Sequence, residues 1–258
     1  MTSSATGLGR IATVALPFLA LLLAWEIASL FLPPYIAPPV AGVLGRALAI
    51  LIHGPSLVEV LATIARTLGG LVGAFLIGGA LAAAMGRAAS VARAVTPLLT
   101  FIQGIPGLSW VVFAVIWFRG TETRIFFIMV LTALPAFTFQ MFDAYRGLSR
   151  DLVEMVLAFR PRRARMLRVL ILPAMLPEIL TAWKINLGNA ARVVVIAELV
   201  GATSGVGYEL MQQQQLFDMA GAIAWTLQLV LFVLVVQGLI ALIERFALRY
   251  RAVSERHA

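Results

Sequence analysis

Long apolar stretches alternate with short polar segments along this chain. A helix needs about 20 apolar residues to cross a bilayer core roughly 30 Å thick. Six stretches are long enough: about 11–32, 58–86, 95–118, 124–143, 176–201 and 222–247. The pattern therefore predicts an all-α, polytopic membrane protein with six transmembrane helices. The first stretch follows Arg10 and lacks a clear small-residue cleavage site, so we expect a retained helix rather than a signal peptide.

Two of the connecting segments are long enough to hold structure of their own. Residues 33–57 begin with prolines and predict a rigid turn followed by a short amphipathic helix on the outer face. Residues 202–221 hold several glycines and a run of four glutamines but no basic residue, and they predict an external helix. We divide the chain into an N-terminal membrane helix with its external segment at 1–57, a core of five membrane helices at 58–250, and a cytoplasmic tail at 251–258.

The composition suits lipid better than water. Apolar residues make up 61% of the 258 positions and charged residues 12%, whereas a soluble domain carries about a quarter charged residues. The chain has no cysteine, which excludes disulfides and Cys-based metal sites. Both histidines, His53 and His257, fall outside the apolar stretches. The chain therefore lacks a histidine suited to a Ser/His dyad or a metal cluster inside the membrane, which argues against an enzyme.

The net charge of +8 does not indicate nucleic-acid binding, because the basic residues lie beside apolar spans and are not interleaved with aromatic residues. With the N-terminus in the cytoplasm, fourteen of the 20 basic residues fall in cytoplasmic segments. The outer side holds Arg46, Arg119 and Arg124, and the spans hold Arg66, Lys184 and Arg192. This bias predicts a multi-pass protein of the cell inner (plasma) membrane with both termini in the cytoplasm.

One cytoplasmic segment, 146–174, is longer than a simple connection requires. It holds seven arginines, and its apolar residues recur at helical spacing. We predict two short helices with apolar faces at the membrane surface. Such faces need something to dock against, either lipid head groups or a protein partner.

This segment carries a motif. Glu154-Met155-Val156, then Arg160, then Ile171-Leu172-Pro173 resembles the coupling-loop signature of ABC importer permeases. That signature is Glu-Ala-Ala, three residues, Gly, nine residues and Ile-x-Leu-Pro, and the Leu-Pro pair lies at the family's distance from Glu154. Three further runs resemble the nitrate/sulfonate/taurine class: LAWEIASLFLPPYIAPPVAGVL, IWF and VVVIAELVGATSGVGYEL. The resemblance covers roughly residues 20–245.

Two positions depart from the signature. Met155 and Val156 replace two alanines, which is a mild change. Arg160 replaces the glycine, which at such a turn commonly adopts a left-handed conformation that arginine reaches only at a cost. Pro161 pushes the residue before it toward extended geometry, so we expect it to supply the turn by another route.

The resemblance implies the permease subunit of a type I importer. In that family two permease subunits form the pathway, two ATPase subunits bind beneath them, and an external solute-binding protein delivers the substrate. The coupling helix near Glu154 fits a groove on the ATPase. The residues that the resemblance assigns to this contact are Glu154, Met155, Val156, Ala158, Phe159, Arg160, Pro161, Arg163, Leu172 and Pro173.

The chain carries no phosphate-binding loop of its own. Such a loop needs Gly-Lys-Ser/Thr, and the only lysine, Lys184, lies between Trp183 and Ile185. We therefore expect no cofactor on this chain and expect ATP and Mg²⁺ on the partner ATPase. Membrane lipid is a further expected partner.

Polar residues inside the spans mark candidate pathway positions, because ionisable groups are costly at bilayer depth. In the fifth span Asn186, Asn189 and Arg192 cover a stripe about 120° wide. Two hypotheses remain open for Arg192: it faces the pathway and attracts an anion, or it pairs with a carboxylate such as Glu26 or Glu198 and holds helices together. We expect Glu198 itself to be structural.

Prolines interrupt two other spans. Pro106 should kink the third span, and Pro135 lies within the fourth. Broken helices in transporters expose backbone groups to a water-filled cavity, and a packing kink is the alternative at each position. The candidate pathway residues beside these prolines are Gln103, Ser109, Trp110, Thr138 and Gln140.

Gly69 and Gly73 form a small-xxx-small pair that serves either intramolecular packing or a dimer interface. We favour a homodimeric importer that moves a small anion by alternating access. The competing hypothesis is a passive channel or an ion-coupled secondary transporter. It predicts an acidic relay or repeat symmetry, and the sequence holds no convincing internal repeat.

Overall fold

The structure is a computed structural model that describes residues 5–247, apart from the side chains of residues 5–12, 14 and 163. The predicted tail at 251–258, with Arg251, Arg256 and His257, lies outside the described residues, as does Arg249. Within 5–247 every regular element is helical. This confirms the all-α prediction.

The helices follow one another with short connections. In chain order they are α1 (Ala5–Phe31), α2 (Val40–Ile52), α3 (Gly54–Arg87), α4 (Ala89–Gly104), α5 (Gly107–Trp117), α6 (Thr121–Arg146), α7 (Arg150–Ala158), α8 (Arg163–Met166), a π-helical turn (Leu167–Ile171), α9 (Leu172–Gly201), α10 (Val206–Gln215) and α11 (Met219–Ala247).

The core lies where α3, α6 and α9 pack together. Its fully buried side chains are apolar and come from all three helices, among them Leu71, Ile128, Phe137 and Leu187. We call the end of this bundle that carries α7 the α7 end, and the end that carries α10 the α10 end.

Glycines on one face of α3 bring it close to α6. A Cβ on Gly70 would lie 2.3 Å from Met129 Cβ, and one on Gly73 would lie 2.8 Å from a Phe126 ring carbon. A side chain at either position would push the helices apart. Gly69, by contrast, faces open space. Of the predicted glycine pair, only Gly73 therefore serves this close approach.

The number of spans is only partly as predicted. Four helices (α3, α6, the continuous helix Ala164–Gly201, and α11) are long and apolar enough to cross a membrane, and α4 with α5 makes a fifth candidate that is bent by 93°. For α1, the apolar part considered, Ala15–Phe31, falls short of that length. A polytopic membrane fold is confirmed, whereas a sixth span is not.

The segment 146–174 differs from the prediction in its second half. The first predicted short helix is α7, but the second does not stand alone. It runs from α8 through the π turn directly into α9, so that a single helix extends over Ala164–Gly201. The segment that follows α7 therefore continues into the core as one helix, without an intervening loop.

The two predicted external helices are present as α2 and α10. The amphipathic pattern of α2 is confirmed, because it buries Val43, Ala47 and Ile50 at spacings of four and three. It packs on α11, and Gln228 of that helix donates to the Ala47 carbonyl at 2.9 Å.

Candidate coupling surface and membrane site

Helix α7 is held almost entirely outside the core. None of its residues is buried. Leu152 and Met155 are 47% and 55% exposed although both are apolar. Glu154 and Ala158 are exposed as well, and Val156 is half-buried. An apolar helix face without a partner in its own chain is typical of a binding surface.

The chain turns sharply after α7, at Arg160. Its φ of 46° lies in the left-handed region, and its N–H donates to the Leu157 carbonyl at 2.8 Å. The turn therefore uses the backbone conformation of the signature glycine, with arginine in its place. The expectation that Pro161 would replace this conformation by an extended one is wrong. The turn leaves Phe159 82% exposed beside the helix.

The remaining coupling candidates lie on the continuous helix that follows. Leu172 is exposed and Pro173 is partly exposed, both where the π turn passes into α9. Pro161 is half-buried. The side chain of Arg163 is not among those described. The structure thus brings Met155 and Phe159 to one exposed region around the Arg160 turn.

The candidate pathway residues divide into two groups. Asn186 is 2% exposed, and its amide donates to Gln140 at 3.1 Å and to the Ala182 carbonyl at 2.9 Å. Thr138 is fully buried and donates to the Leu134 carbonyl at 2.8 Å. These three residues satisfy one another or their own helices between α6 and α9. In this structure the Asn186–Gln140 bond joins α9 to α6, Thr138 is bonded within α6, and neither Asn186 nor Thr138 lines open space.

The other edge of α9 is open. Asn189 and Arg192 are exposed, and Ile185 beside them is 58% exposed. The predicted stripe therefore divides into two parts: Asn186 is packed against α6, whereas Asn189 and Arg192 are exposed. Arg192 lies nine residues, or about 14 Å, from the end of α9 at Gly201.

Neither carboxylate proposed as a partner for Arg192 contacts it. Glu26 accepts from the Val40 N–H at 3.0 Å, and Glu198 pairs with Arg66 at 2.7 Å. Within the described part of the chain, Arg192 has no ion pair or hydrogen bond. The geometry leaves its charge free for a group outside this chain.

The third predicted span is broken at Ile105-Pro106, between α4 and α5. The two helices are bent by 93° relative to each other, which is a break in the helix rather than a kink. Gln103 is exposed on one side of the break and Ser109 half-buried on the other, while Trp110 is 9% exposed and its Nε1–H lacks a described partner. The start of α5 lies near α9, where a Cβ on Gly107 would make an ordinary contact of 3.7 Å with Val193.

A polar network, which we call the Glu198 network, lies at the α10 end, with Thr63 and Glu198 buried and Glu122 exposed. It consists of Thr63, Arg66, Glu122, Glu198 and Ser204. The Glu198 carboxylate is fully buried and accepts from Thr63 Oγ1 at 2.9 Å, Arg66 Nη1 at 2.7 Å and the Gly207 N–H at 2.9 Å. This arrangement supports the structural role expected for Glu198.

Arg66 joins the network's parts. Its Nε donates to Glu122 at 3.1 Å, and its two terminal nitrogens donate to the carbonyl and the hydroxyl of Ser204, each at 2.8 Å. All three nitrogens of the guanidinium thus have acceptors. The network ties α3, α6 and α9 to the segment that leads into α10.

Glycines let that segment approach the buried carboxylate. Gly205 has φ of 106°, and a Cβ there would lie 2.3 Å from Glu198 Oε1. A Cβ on Gly207 would lie 2.6 Å from Glu198 Cβ. Arg124 secures the same end of α9, because it is buried in α6 and donates to the Gly201 carbonyl.

The sequence pointed to Arg66 and Glu198 separately but not to their pairing. The sequence did hold a signal against the alternative pair. Glu198 and Arg192 lie six residues apart on one helix, which places them about 120° apart around its axis, so that they face different neighbours. Arg66 and Glu198, of opposite charge, both lie near the α10 end of their spans. Within the described residues no cluster of His, Cys, Asp or Glu suits a metal ion.

The comparisons with known proteins bear on the whole of this arrangement. Residues 74–249 match the family described as binding-protein-dependent transport system inner membrane component. That match spans more than half of the chain and includes α7, the Arg160 turn and the core.

The chain is a member of this permease family.

Two curated relatives show how the permease compares with characterised systems. It is 29% identical over 211 residues to the taurine transport system permease protein of Escherichia coli strain K12, covering 78% of this chain and 76% of the relative. It is 28% identical over 221 residues to the riboflavin transport system permease protein of Chloroflexus aurantiacus, covering 85% and 82% respectively.

A solved structure supports the fold. The inward-facing MetNI methionine ABC transporter superposes with a TM-score of 0.68 at 20% identity, over 75% of this chain and 96% of the transporter chain. The fold is that of a type I ABC importer permease, and family membership favours the importer over the channel and secondary-transporter hypotheses.

The permease is therefore the membrane subunit of an ATP-driven, binding-protein-dependent importer, and its sequence is similar to that of a taurine permease. It is a multi-pass inner-membrane protein and is not itself an enzyme. An ABC importer of this family works with a separate ATPase and a substrate-binding protein.

Proposed function

We propose that two copies of this permease form a pathway for a small anion and move it into the cytoplasm by alternating access. ATP, with Mg²⁺, is bound and hydrolysed by two ATPase subunits. Closure of these subunits opens the pathway outward, and a loaded external binding protein then releases substrate into it. Hydrolysis restores the inward-facing state.

The proposed orientation puts the α7 end and both termini in the cytoplasm. The arginines between α6 and α9 support this, because positive charge accumulates on the cytoplasmic side of membrane proteins. In this orientation the ATPase binds the exposed face of α7 and the Arg160 turn, and Met155 and Phe159 supply the apolar contacts. The binding protein meets the α10 end.

One observation carries the pathway assignment: Arg192 is exposed, at bilayer depth, and lacks a partner in the described chain. A guanidinium facing lipid at this depth would be strongly unfavourable. A second permease copy packed across this face of α9 would cover the charge and enclose water around it. Asn189, on the same face, adds a neutral donor.

An unpaired arginine supports an anionic substrate, because it offers planar donors that match carboxylate, sulfonate or phosphate groups. The relative named above is a taurine transport permease, and taurine carries a sulfonate group of the kind that a guanidinium binds. The riboflavin permease, at similar identity, shows that sequence likeness alone does not select the substrate. We therefore rest the substrate class on Arg192.

The test is anion uptake by an Arg192→Gln permease in vesicles that contain the complete importer. Losing a charged hydrogen bond of about 1.5–3 kcal/mol should reduce uptake at low substrate by about 10- to 100-fold. Arg192→Lys should restore part of it. Arg119→Gln, another exposed arginine outside the spans, is the matched control. A folded Arg192→Gln permease that imports at the normal rate would rule out the pathway role.

A further inference from the structure

A cavity of about 490 Å³ lies at the α7 end, between α3, α6 and the continuous helix that begins at α8. Small residues on α3, including Gly79, Ala82 and Ala83, form one wall. Leu167, Ile171 and other apolar residues of the π turn and α9 form the opposite wall. The volume falls in the range of about 300–1,000 Å³ that is usual for small-ligand sites.

The chemistry of the cavity changes along its length. Arg87 is the only charged residue in its described lining, and the hydroxyl of Tyr145 is the only other polar side-chain group apart from thioether sulfur. Arg87 ends α3 and Tyr145 lies in the last turn of α6, so both are at the α7 end. Met175 and Ile179 lie one and two turns into α9, farther from that end. The cavity is therefore polar at its rim and apolar at its depth.

Both rim groups are available to a ligand. Arg87 is exposed, and its one contact in the described chain is a long bond of 3.3 Å from Nη1 to the Ala83 carbonyl. Tyr145 is 40% exposed with its ring packed on Gly86, and its hydroxyl has no hydrogen bond to a described residue. Tyrosine and arginine at this depth commonly contact lipid head groups.

We propose that this cavity binds the acyl chain of an anionic phospholipid from the cytoplasmic leaflet, with its head group on Arg87 and Tyr145. The assignment to that leaflet rests on the orientation in the proposed function. Charge selects the lipid: the described lining holds Arg87 and no carboxylate, so the rim attracts an anion and offers the cationic part of a zwitterionic head group no matching site.

The wall that the acyl chain would contact gives this site a consequence for transport. Leu167–Ile171 form the π turn, a conformation that is frequent at functional positions. This turn connects the Arg160 turn to α9, which carries Arg192. A bound chain would fill the space between α3 and this connection, so that movement of α7 is passed to α9 rather than absorbed by the cavity.

The first experiment locates the lipid. The purified permease in detergent is labelled with phosphatidylglycerol that carries a photoreactive group on its acyl chain, and the labelled peptides are identified by mass spectrometry. We expect labelling within 164–179, with competition by unlabelled phosphatidylglycerol and little by phosphatidylcholine. Equal competition by both lipids, or labelling spread over α1 and α11, would overturn the proposal. Competition by free fatty acid alone would assign the cavity to a fatty acid and overturn the phospholipid.

Two variants and a control sharpen the result. Arg87→Gln should weaken phosphatidylglycerol binding about fivefold, since one arginine near an anionic lipid contributes about 1 kcal/mol. Ala83→Phe, which places a ring in the cavity, should abolish labelling while the protein keeps its elution profile. Arg93→Gln, an exposed arginine on α4 outside the cavity, should label as the wild type does. Normal labelling of folded Ala83→Phe would contradict the proposed position.

A transport readout separates this proposal from the proposed function. In vesicles of the full importer, adding phosphatidylglycerol to phosphatidylcholine should raise transport per ATP for the wild type but not for Ala83→Phe. Labelling does not depend on transport, so an inactive Arg192→Gln permease should still bind the lipid. Lipid sensitivity that is unchanged in Ala83→Phe would contradict a role in coupling.

Discussion

The two ends of the α3–α6–α9 bundle treat polar and apolar groups in opposite ways. At the α10 end the buried carboxylate of Glu198 has its acceptors filled by Thr63, Arg66 and a backbone N–H of its own chain. At the α7 end, helix α7 buries none of its residues and leaves Phe159 82% exposed. At the α10 end a buried carboxylate is paired within the chain, whereas at the α7 end an apolar helix face has no partner among the described residues.

The difference indicates which end of the bundle is structurally fixed, namely the α10 end with the Glu198 network. Every polar group of a buried network must keep its partner, because a charge left unpaired in the interior costs several kcal/mol. Such a network resists rearrangement. An exposed helix on a single left-handed turn has few contacts to break, so it can move with a partner. We infer that α9 is anchored at its α10 end and receives motion at its α7 end.

The largest expected effect comes from disrupting the Glu198 network. Glu198→Ala should destabilise the permease by about 3–5 kcal/mol, because it leaves the Arg66 charge buried with one carboxylate fewer and leaves the Gly207 N–H without its acceptor. Thermal unfolding in detergent measures this. Glu178→Ala, an exposed glutamate on the same helix, is the matched control and should stay close to the wild type. Equal unfolding temperatures for both variants would mean that the network does not hold the α10 end.

The second effect should appear in partner binding and not in stability. Phe159→Ala should weaken ATPase binding by about 2 kcal/mol, or about 30-fold, if this side chain is a central contact. Its own unfolding should shift by less than about 0.5 kcal/mol, because the side chain is exposed. Val169→Ala, also exposed but at one of the unspecified positions of the signature, is the control. Binding by surface-immobilised permease gives the affinity, and an unchanged value for Phe159→Ala would remove this residue from the interface.

Periodicity and length predicted most of the fold. The spans at 58–86 and 222–247 correspond closely to α3 and α11 because each is an apolar run bounded by polar or basic residues. The bend at Pro106 was anticipated as a kink, but its angle depends on how α5 packs against α6 and α9, which is a long-range property. The continuity of α8 with α9 was not predicted, because the apolar run of the fifth span begins near 176 and periodicity alone does not show that a π turn continues the helix across that boundary.

The site was predictable only where its chemistry is local. The coupling turn follows from spacing within a short segment, and its left-handed residue coincides with the signature position. The partners of Glu198 come from α3 and from the segment before α10, far away in sequence. Asn186 and Arg192 show the same limit within one helix: both are polar and share a stripe, yet one is buried against Gln140 and the other is open.

The third expected effect concerns the turn that makes the α7 end movable. Arg160→Gly should be more stable than Arg160→Ala by about 1 kcal/mol, because alanine keeps the steric cost of a positive φ and glycine does not. Comparing these two variants cancels the loss of the arginine side chain. Hydrogen exchange of the amides around 157–161 measures the local difference. Faster exchange in the glycine variant than in the alanine variant would show that the turn leaves the left-handed region in solution.

The smallest effect returns to the α10 end, at Glu209 of α10, which lies outside the spans. Burial, and secondly the charge of Glu59, raise the pKa of the Glu209 carboxyl above its usual value. The folded state then binds a proton more readily than the unfolded state, so this residue's contribution to stability is lost as pH rises through that raised pKa. Glu209→Gln should remove this loss, so that its stability falls less than the wild type's as pH increases past about 4.3. Unfolding curves over pH measure the difference, with the exposed Gln214→Ala as the control that should follow the wild type. An identical pH dependence in Glu209→Gln would mean that the Glu209 carboxyl binds its proton equally well in the folded and unfolded states. Glu209 would then make no pH-dependent contribution to the stability of the α10 end.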